Sequence, residues 1–147
     1  MRAVLHRVLV PMALVAIGTV VAPAAAQPSI GWDTLDEVYV NSRTDRVVYP
    51  ETVRALHGRT VRITGYLLPL DAHTTPRRFL LSALSLAECY FCQPTGPGTT
   101  VEVRSSRPIR MQTTRRVRIQ GRLVLLARRG RYDDGLVYRL DNARVLR

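Results

Sequence analysis

Val61-Arg-Ile-Thr-Gly-Tyr-Leu-Leu68 and Val117-Arg-Ile-Gln-Gly-Arg-Leu-Val124 match one another residue class for residue class. Each alternates apolar and polar side chains up to a glycine at its fifth position, Gly65 or Gly121, and then turns mostly apolar. That alternation has the two-residue period of a half-buried strand. One echo is not a solenoid, which needs about three units or more. Glycine inside a strand marks a bulge, a bend or a close backbone approach. Two bent strands suit a small closed barrel, which has to turn its corners.

Three further stretches supply the remaining strands. Residues 78–83 and 99–104 are short apolar-rich runs, and residues 136–140 form another that extends toward Val145 after the Asp133-Asp-Gly135 turn. The expected fold is mainly β: a small five-stranded, OB-like (oligonucleotide/oligosaccharide-binding) Greek-key barrel with a short N-terminal helix. A β-sandwich, or an open antiparallel sheet capped by a helix, is the alternative. The expected core comprises Val61, Ile63, Leu67, Phe79, Leu81, Val101, Val103, Val117, Ile119, Leu123, Leu125, Tyr138, Leu140 and Val145. Upstream, Asp33 is placed to cap a short helical turn, residues 38–40 read as a brief strand and residues 41–45 as a polar loop. Pro50 opens a helix over residues 51–57, which Gly58 stops.

Residues 1–26 have the organisation of a secretory signal peptide. Arg2 and Arg7 precede an apolar run of about fourteen residues, too short for the ~20 of a permanent membrane span, and Ala24-Ala25-Ala26 forms a small-residue cleavage site. The expected organisation is therefore a signal peptide at 1–26, an N-terminal extension with a short helix at 27–58, and the barrel at 59–147. The expected location is periplasmic or secreted.

Of the 147 residues 22 are basic, all of them arginine, and 11 are acidic. Loss of Arg2 and Arg7 with the signal lowers the formal charge from +11 to +9. Such an excess invites a nucleic-acid reading, but an exported chain does not meet chromosomal DNA. The strands at 99–104 and 116–126 also carry none of the aromatics on which a single-strand-binding barrel stacks bases. Arg116, Arg118 and Arg122 alternate with core residues and so form a basic surface, suited to anionic lipid head groups, an acidic partner protein or another polyanion.

Cys89-Tyr-Phe-Cys92, followed by Gln-Pro-Thr-Gly-Pro-Gly98, admits three chemistries. A disulfide persists in an exported chain. A dithiol redox couple of the thioredoxin kind requires a helix start to stabilise its thiolate, which this Pro/Gly run does not offer. Zinc, the candidate cofactor, takes four ligands in a closed site; Cys89 and Cys92 supply two, and His73, Asp71 or a second protomer would complete the set. There is no G-x-S-x-G, H-E-x-x-H, P-loop or dinucleotide fingerprint, so no catalytic residue is assigned.

Gly58-Arg-Thr-Val-Arg-Ile-Thr-Gly-Tyr-Leu-Leu-Pro-Leu-Asp71, then Phe79-Leu-Leu81, then the cysteine-centred Pro/Gly loop, resembles an exported bacterial family of unknown function. Trp32-Asp-Thr-Leu35 and the Gly121 strand fit the same pattern. Many relatives carry C-x-H in the loop; here Phe91 stands in place of the histidine and Cys92 follows, so the chain is similar to a C-x-F-C branch. The resemblance implies an accessory role beside an envelope transport system, in some relatives linked to zinc supply, and brings with it no established enzymatic activity. The combined expectation is an exported, non-catalytic accessory or binding domain, with a thiol–disulfide redox protein and a polyanion-binding barrel as alternatives.

Overall fold

The computed structural model describes residues 27–85, 96–126 and 135–146. Its elements run α1 (Trp32–Asp36), β1 (Tyr39–Asn41), β2 (Arg46–Val48), α2 (Glu51–Arg54), β3 (Thr60–Leu68), β4 (Arg78–Ser82), β5 (Thr100–Ser105), β6 (Arg116–Leu125) and β7 (Tyr138–Leu146). The last five close into a barrel of order β3-β4-β5-β7-β6. Neighbours are antiparallel except β5 and β7, which run parallel. This is the expected five-stranded OB-like arrangement, and closure leaves no barrel strand with a bare edge.

The two echoed stretches turn out to be direct neighbours. Val61 pairs with Gly121, Ile63 with Ile119 and Gly65 with Val117. They are therefore related by a local two-fold through the Ile63–Ile119 pair, and each glycine faces the other strand's valine. The two glycines nonetheless do different work. At Gly65 the pairing continues without a shift, and a Cβ there would lie 2.5 Å from the Ser82 carbonyl oxygen and 2.9 Å from Trp32 Cζ2. Gly65 thus permits a close approach. Opposite Gly121 the β6–β7 register shifts, and Asn142 takes a positive φ of 51°; that glycine accompanies a bulge.

β4 reaches only the C-terminal part of β3, pairing Leu80–Ser82 with Tyr66–Leu68. The rest of that edge is covered by the N-terminal segment. Arg62 N–H donates to the Pro28 carbonyl, Ile30 N–H to the Arg62 carbonyl (2.9 Å each), and Trp32 Nε1 to the Thr64 carbonyl at 2.8 Å. Buried backbone groups must find partners, and this segment supplies them.

The helix at 51–57 is shorter than expected. α2 ends at Arg54, and i→i+3 bonds from Leu56 N–H to Val53 and from His57 N–H to Arg54 tighten the chain into Gly58, at φ +76°. Asp33 does not cap α1. Gly31 holds the cap position and Asp33 sits in the first turn, where its charge favours the positive end of the helix. A hairpin formed by β1 and β2 occupies the stretch expected to hold a lone strand and a loop.

One core runs through these parts. Leu35, Val38, Val53 and Leu56 join Phe79, Leu81, Val101, Val103, Ile119 and Leu140 in a single cluster, so residues 27–58 stopper one end of the barrel. The Tyr138 hydroxyl, fully buried, donates to the Leu35 carbonyl at 2.8 Å, and the Tyr49 hydroxyl donates to the Val137 carbonyl at 2.7 Å. Val117 and Leu125 are only partly buried, and Val145 is exposed. Val145 is a correction to the expected core. It lies beyond the bulge, at the barrel end that no stopper closes among the described residues. Among the described residues no helix is long and apolar enough to cross a membrane.

Candidate functional site

Asp71 and His73 come together in the β3–β4 connection. Asp71 Oδ1 accepts the His73 backbone N–H at 3.0 Å and lies 3.0 Å from His73 Nδ1. The backbone bond chiefly, and then the imidazole, hold the Asp71 carboxyl below its ordinary range. Both side chains are exposed. They make a two-donor pair, and among the described residues no group of three or more His, Cys, Asp or Glu side chains is placed to hold a metal ion. Cys89 and Cys92 lie outside the described residues. His57 is occupied locally, its Nδ1 accepting the Leu125 N–H at 3.2 Å.

Arg116, Arg118 and Arg122 project outward from β6 at alternate positions, all exposed. Arg62 on β3 and Arg144 on β7 flank Gln120 in the same register. Arg116 lies over the ring of Tyr66, its cross-strand partner, with 5.6 Å to the centroid. Inspection of β5 and β6 alone misses that aromatic, because it comes from the neighbouring strand. Arg122 is 3.8 Å from Asp141, whose carboxylate is already engaged by Arg139 at 2.7 and 3.0 Å. No carboxylate among the described residues comes within ion-pair range of Arg116 or Arg118.

The outer face of β4 and β5 differs in kind. Glu102, nearly buried, accepts from Arg78 Nε at 2.7 Å and from Arg104 Nε at 3.0 Å. Burial alone would raise its carboxyl, but the two guanidinium bonds outweigh burial and hold it below its ordinary value. Sequence reading did not single out Glu102. Its only signal is an acid at an outward strand position, and the arginines around it are identified by register.

The described residues also form a cleft of about 760 Å³ at the barrel end opposite the stopper. Leu67, Val117 and Val145, from the ends of β3, β6 and β7, give it an apolar floor. Residues 106–110 and Gln112, which lie in neither helix nor strand, form one wall of the opening. That wall is fixed by backbone bonds: Ser105 N–H to the Arg77 carbonyl (2.7 Å), Ser106 N–H to Ala143, Ile109 N–H to Pro76 and Met111 N–H to Thr74 (3.1 Å each). Arg107, Arg110 and Arg144 form its rim, and among the described residues no acidic side chain lines it.

No curated protein matches the chain by sequence. A crystal structure of a DUF3299 family protein from Pseudomonas aeruginosa is similar to it, with a TM-score of 0.56 and 14% identity over 83% of this chain and 97% of that one. At that identity the likeness shows a shared fold. The family described as "Protein of unknown function (DUF3299)" matches residues 31–146. The expected membership of a family of unknown function thus has its counterpart in the sequence match, and this chain belongs to the DUF3299 family.

Proposed function

We propose that the protein is an exported, non-catalytic binding domain that docks through the arginine face of β6 onto an acidic protein of the cell envelope, an envelope transporter component being the partner the family resemblance favours. The observation that carries this reading is the outward array of Arg116, Arg118 and Arg122, of which only Arg122 has a carboxylate within ion-pair range among the described residues. Unpaired cations on one rigid sheet face steer and orient an anionic partner. The face of β4 and β5, which OB folds use for oligonucleotides, presents Glu102 clamped between Arg78 and Arg104, and this supports the reading that nucleic acid is not the partner.

The test is retention on heparin and on vesicles for the purified chain and for Arg116→Gln/Arg118→Gln. The salt needed to elute from heparin should fall clearly in the double variant, and anionic vesicles should retain the wild type no better than zwitterionic ones. Unchanged heparin retention overturns the basic-face reading; selective retention on anionic vesicles transfers it to a lipid surface. Export is tested separately, by the intact mass of protein recovered from cells: removal of residues 1–26 supports it, and a full-length chain overturns it.

Metal association is a finer reading, favoured by the Asp71–His73 pair. The described residues do not by themselves fit a tetrahedral zinc site, so Cys89 and Cys92 would have to complete it. Zinc-dependent protection of both thiols from alkylation, lost in His73→Ala, supports that set; alkylation at the same rate with and without zinc removes it. The thiol–disulfide alternative rests on Cys89 and Cys92 alone, and a reduction potential below about −300 mV would mark their bond as structural.

A further inference from the structure

We infer that the open end of the barrel is a binding site for a small amphipathic anion, an alkyl or acyl chain ending in a carboxylate or phosphate. The site shares Arg144 with the outer sheet face but none of Arg116, Arg118 and Arg122, and it does not depend on the docking reading. The two barrel ends differ in how their inward residues are covered. At one end Leu35, Val38, Val53 and Leu56 close the core. At the other, Leu67, Val117 and Val145 line a concavity, and Val145 remains 37% exposed. Apolar surface at the bottom of a cleft gains from any apolar group that displaces its water.

The rim selects the sign of the head group. Arg107 and Arg110 stand on the connecting wall and Arg144 on β7. Among the described residues none of the three has a carboxylate within ion-pair range. Three like charges around one opening repel each other and favour an anion between them. Guanidinium groups are also matched in geometry to the paired oxygens of carboxylate and phosphate. The serines beside them are not the recognising groups: the single Ser105 hydroxyl proton goes to the Arg107 carbonyl at 2.6 Å, with the Ala143 carbonyl at 3.1 Å as the alternative acceptor, and the Ser106 hydroxyl donates to Ala143. Those bonds and the four backbone bonds of the wall fix the site before any ligand arrives, which lowers the ordering cost of binding. Its volume, about 760 Å³, falls in the ~300–1,000 Å³ range of small-ligand clefts.

Calorimetric titration of the purified chain tests this, with decanoate and decyl phosphate below micelle formation, acetate as a head without a chain, and decyl maltoside as a chain without a charge. Saturable binding of decanoate or decyl phosphate with a negative heat-capacity change, and no saturable binding of the two controls, supports the site; the arms show which head is preferred. Arg110→Gln/Arg144→Gln should weaken decanoate by roughly tenfold or more, the ratio one charge-assisted bond supplies. Val145→Asp, at an exposed position, should weaken it similarly by placing a like charge on the floor. Arg116→Gln/Arg118→Gln should leave it unchanged. No saturation by either amphiphile, equal binding of acetate or decyl maltoside, or unaltered affinity in the rim and floor variants would each overturn the inference.

Discussion

Gly65→Ala and Gly121→Ala make the same chemical change at symmetry-related positions, and the structure predicts unequal costs. Neither glycine has a positive φ, so backbone conformation is no obstacle and only space decides. At Gly65 the new Cβ would lie 2.5 Å from the Ser82 carbonyl oxygen, 2.9 Å from Trp32 Cζ2 and 3.1 Å from Leu81 Cγ. Ordinary carbon contacts begin near 3.5 Å, so the Ser82 backbone has to retreat by the better part of an ångström. It cannot do so freely, because Ser82 is held in the ladder opposite Tyr66. The Trp32 ring is likewise pinned by its bond to Thr64. Overpacking of this kind costs about 1–3 kcal/mol, and a struck backbone atom puts Gly65→Ala near the top of that range. At Gly121 the three nearest atoms all lie at 3.2 Å, so shifts of a few tenths of an ångström suffice. The gain of about 0.5–1 kcal/mol from replacing glycine in a strand offsets much of that strain. Urea unfolding followed by the fluorescence of Trp32, the sole tryptophan, reads both. With a slope of about 1–3 kcal/mol/M, the Gly65→Ala midpoint should fall by roughly 1–2 M and the Gly121→Ala midpoint by less than about 0.5 M. Equal shifts, or a Gly65→Ala midpoint near wild type, would refute the assignment of close approach to one glycine and a bulge to the other.

Two further outcomes follow from the polar groups. Glu102→Gln should destabilise the fold by about 1 kcal/mol at neutral pH, a figure kept low because Arg78 and Arg104 are largely exposed. Because the folded carboxyl titrates below its ordinary 4.5, its contribution is present above that pH and lost as pH falls through the folded value. Wild-type and variant unfolding curves should therefore converge on acidification; a gap that persists in acid would show that the charge is not responsible. Tyr138→Phe removes the donor to the buried Leu35 carbonyl and should cost about 1–2 kcal/mol in urea unfolding. Burial, above all, pushes the Tyr138 phenol far above its ordinary pKa, so alkaline absorbance titration should find at least one tyrosine fewer in the folded wild type than after unfolding. Complete tyrosine titration of the folded chain would contradict the burial.

The barrel was legible in the sequence because its strands are long or strictly alternating. β3 and β6 announce themselves by repetition, and β4 and β5 by short apolar runs. The N-terminal hairpin was not, since Tyr39–Asn41 and Arg46–Val48 are three residues each and carry little periodicity. Their pairing is visible only with the turn, where the Arg43 N–H bonds the Asn41 side chain and Asp45 takes a φ of 51°. The outward arginines of β6 followed from alternation alone. Their neighbours did not: Tyr66 under Arg116 and Asp141 near Arg122 are cross-strand partners, and register is a tertiary property. Val145 was assigned to the core although strict alternation from Tyr138 and Leu140 would turn it outward. The bulge at Asn142 shifts the phase so that Ala143 and Val145 share the inward face, and at the open strand end Val145 stays 37% exposed.

The echoed strands explain why the barrel's two ends came to differ. A local two-fold through Ile63 and Ile119 makes the β3–β6 pair nearly indifferent to direction, so asymmetry has to come from what lies on its two outer edges. On the β3 edge, residues 28–32 and β4 divide the strand between them, and Trp32 over Gly65 leads directly into α1 and the stopper. On the β6 edge, β7 supplies a single continuous partner with one bulge and runs on to Leu146. The chain that could have closed the second end, residues 106–112, is bonded through Ile109 and Met111 to Pro76 and Thr74, so it walls the opening without filling it. Filling it would require apolar side chains where Arg107 and Arg110 stand. An end closed by leucines and valines serves stability. An end left open, floored by Leu67, Val117 and Val145 and ringed by arginine, contributes less to the core, and its composition is understandable if an anionic amphiphile is what covers it.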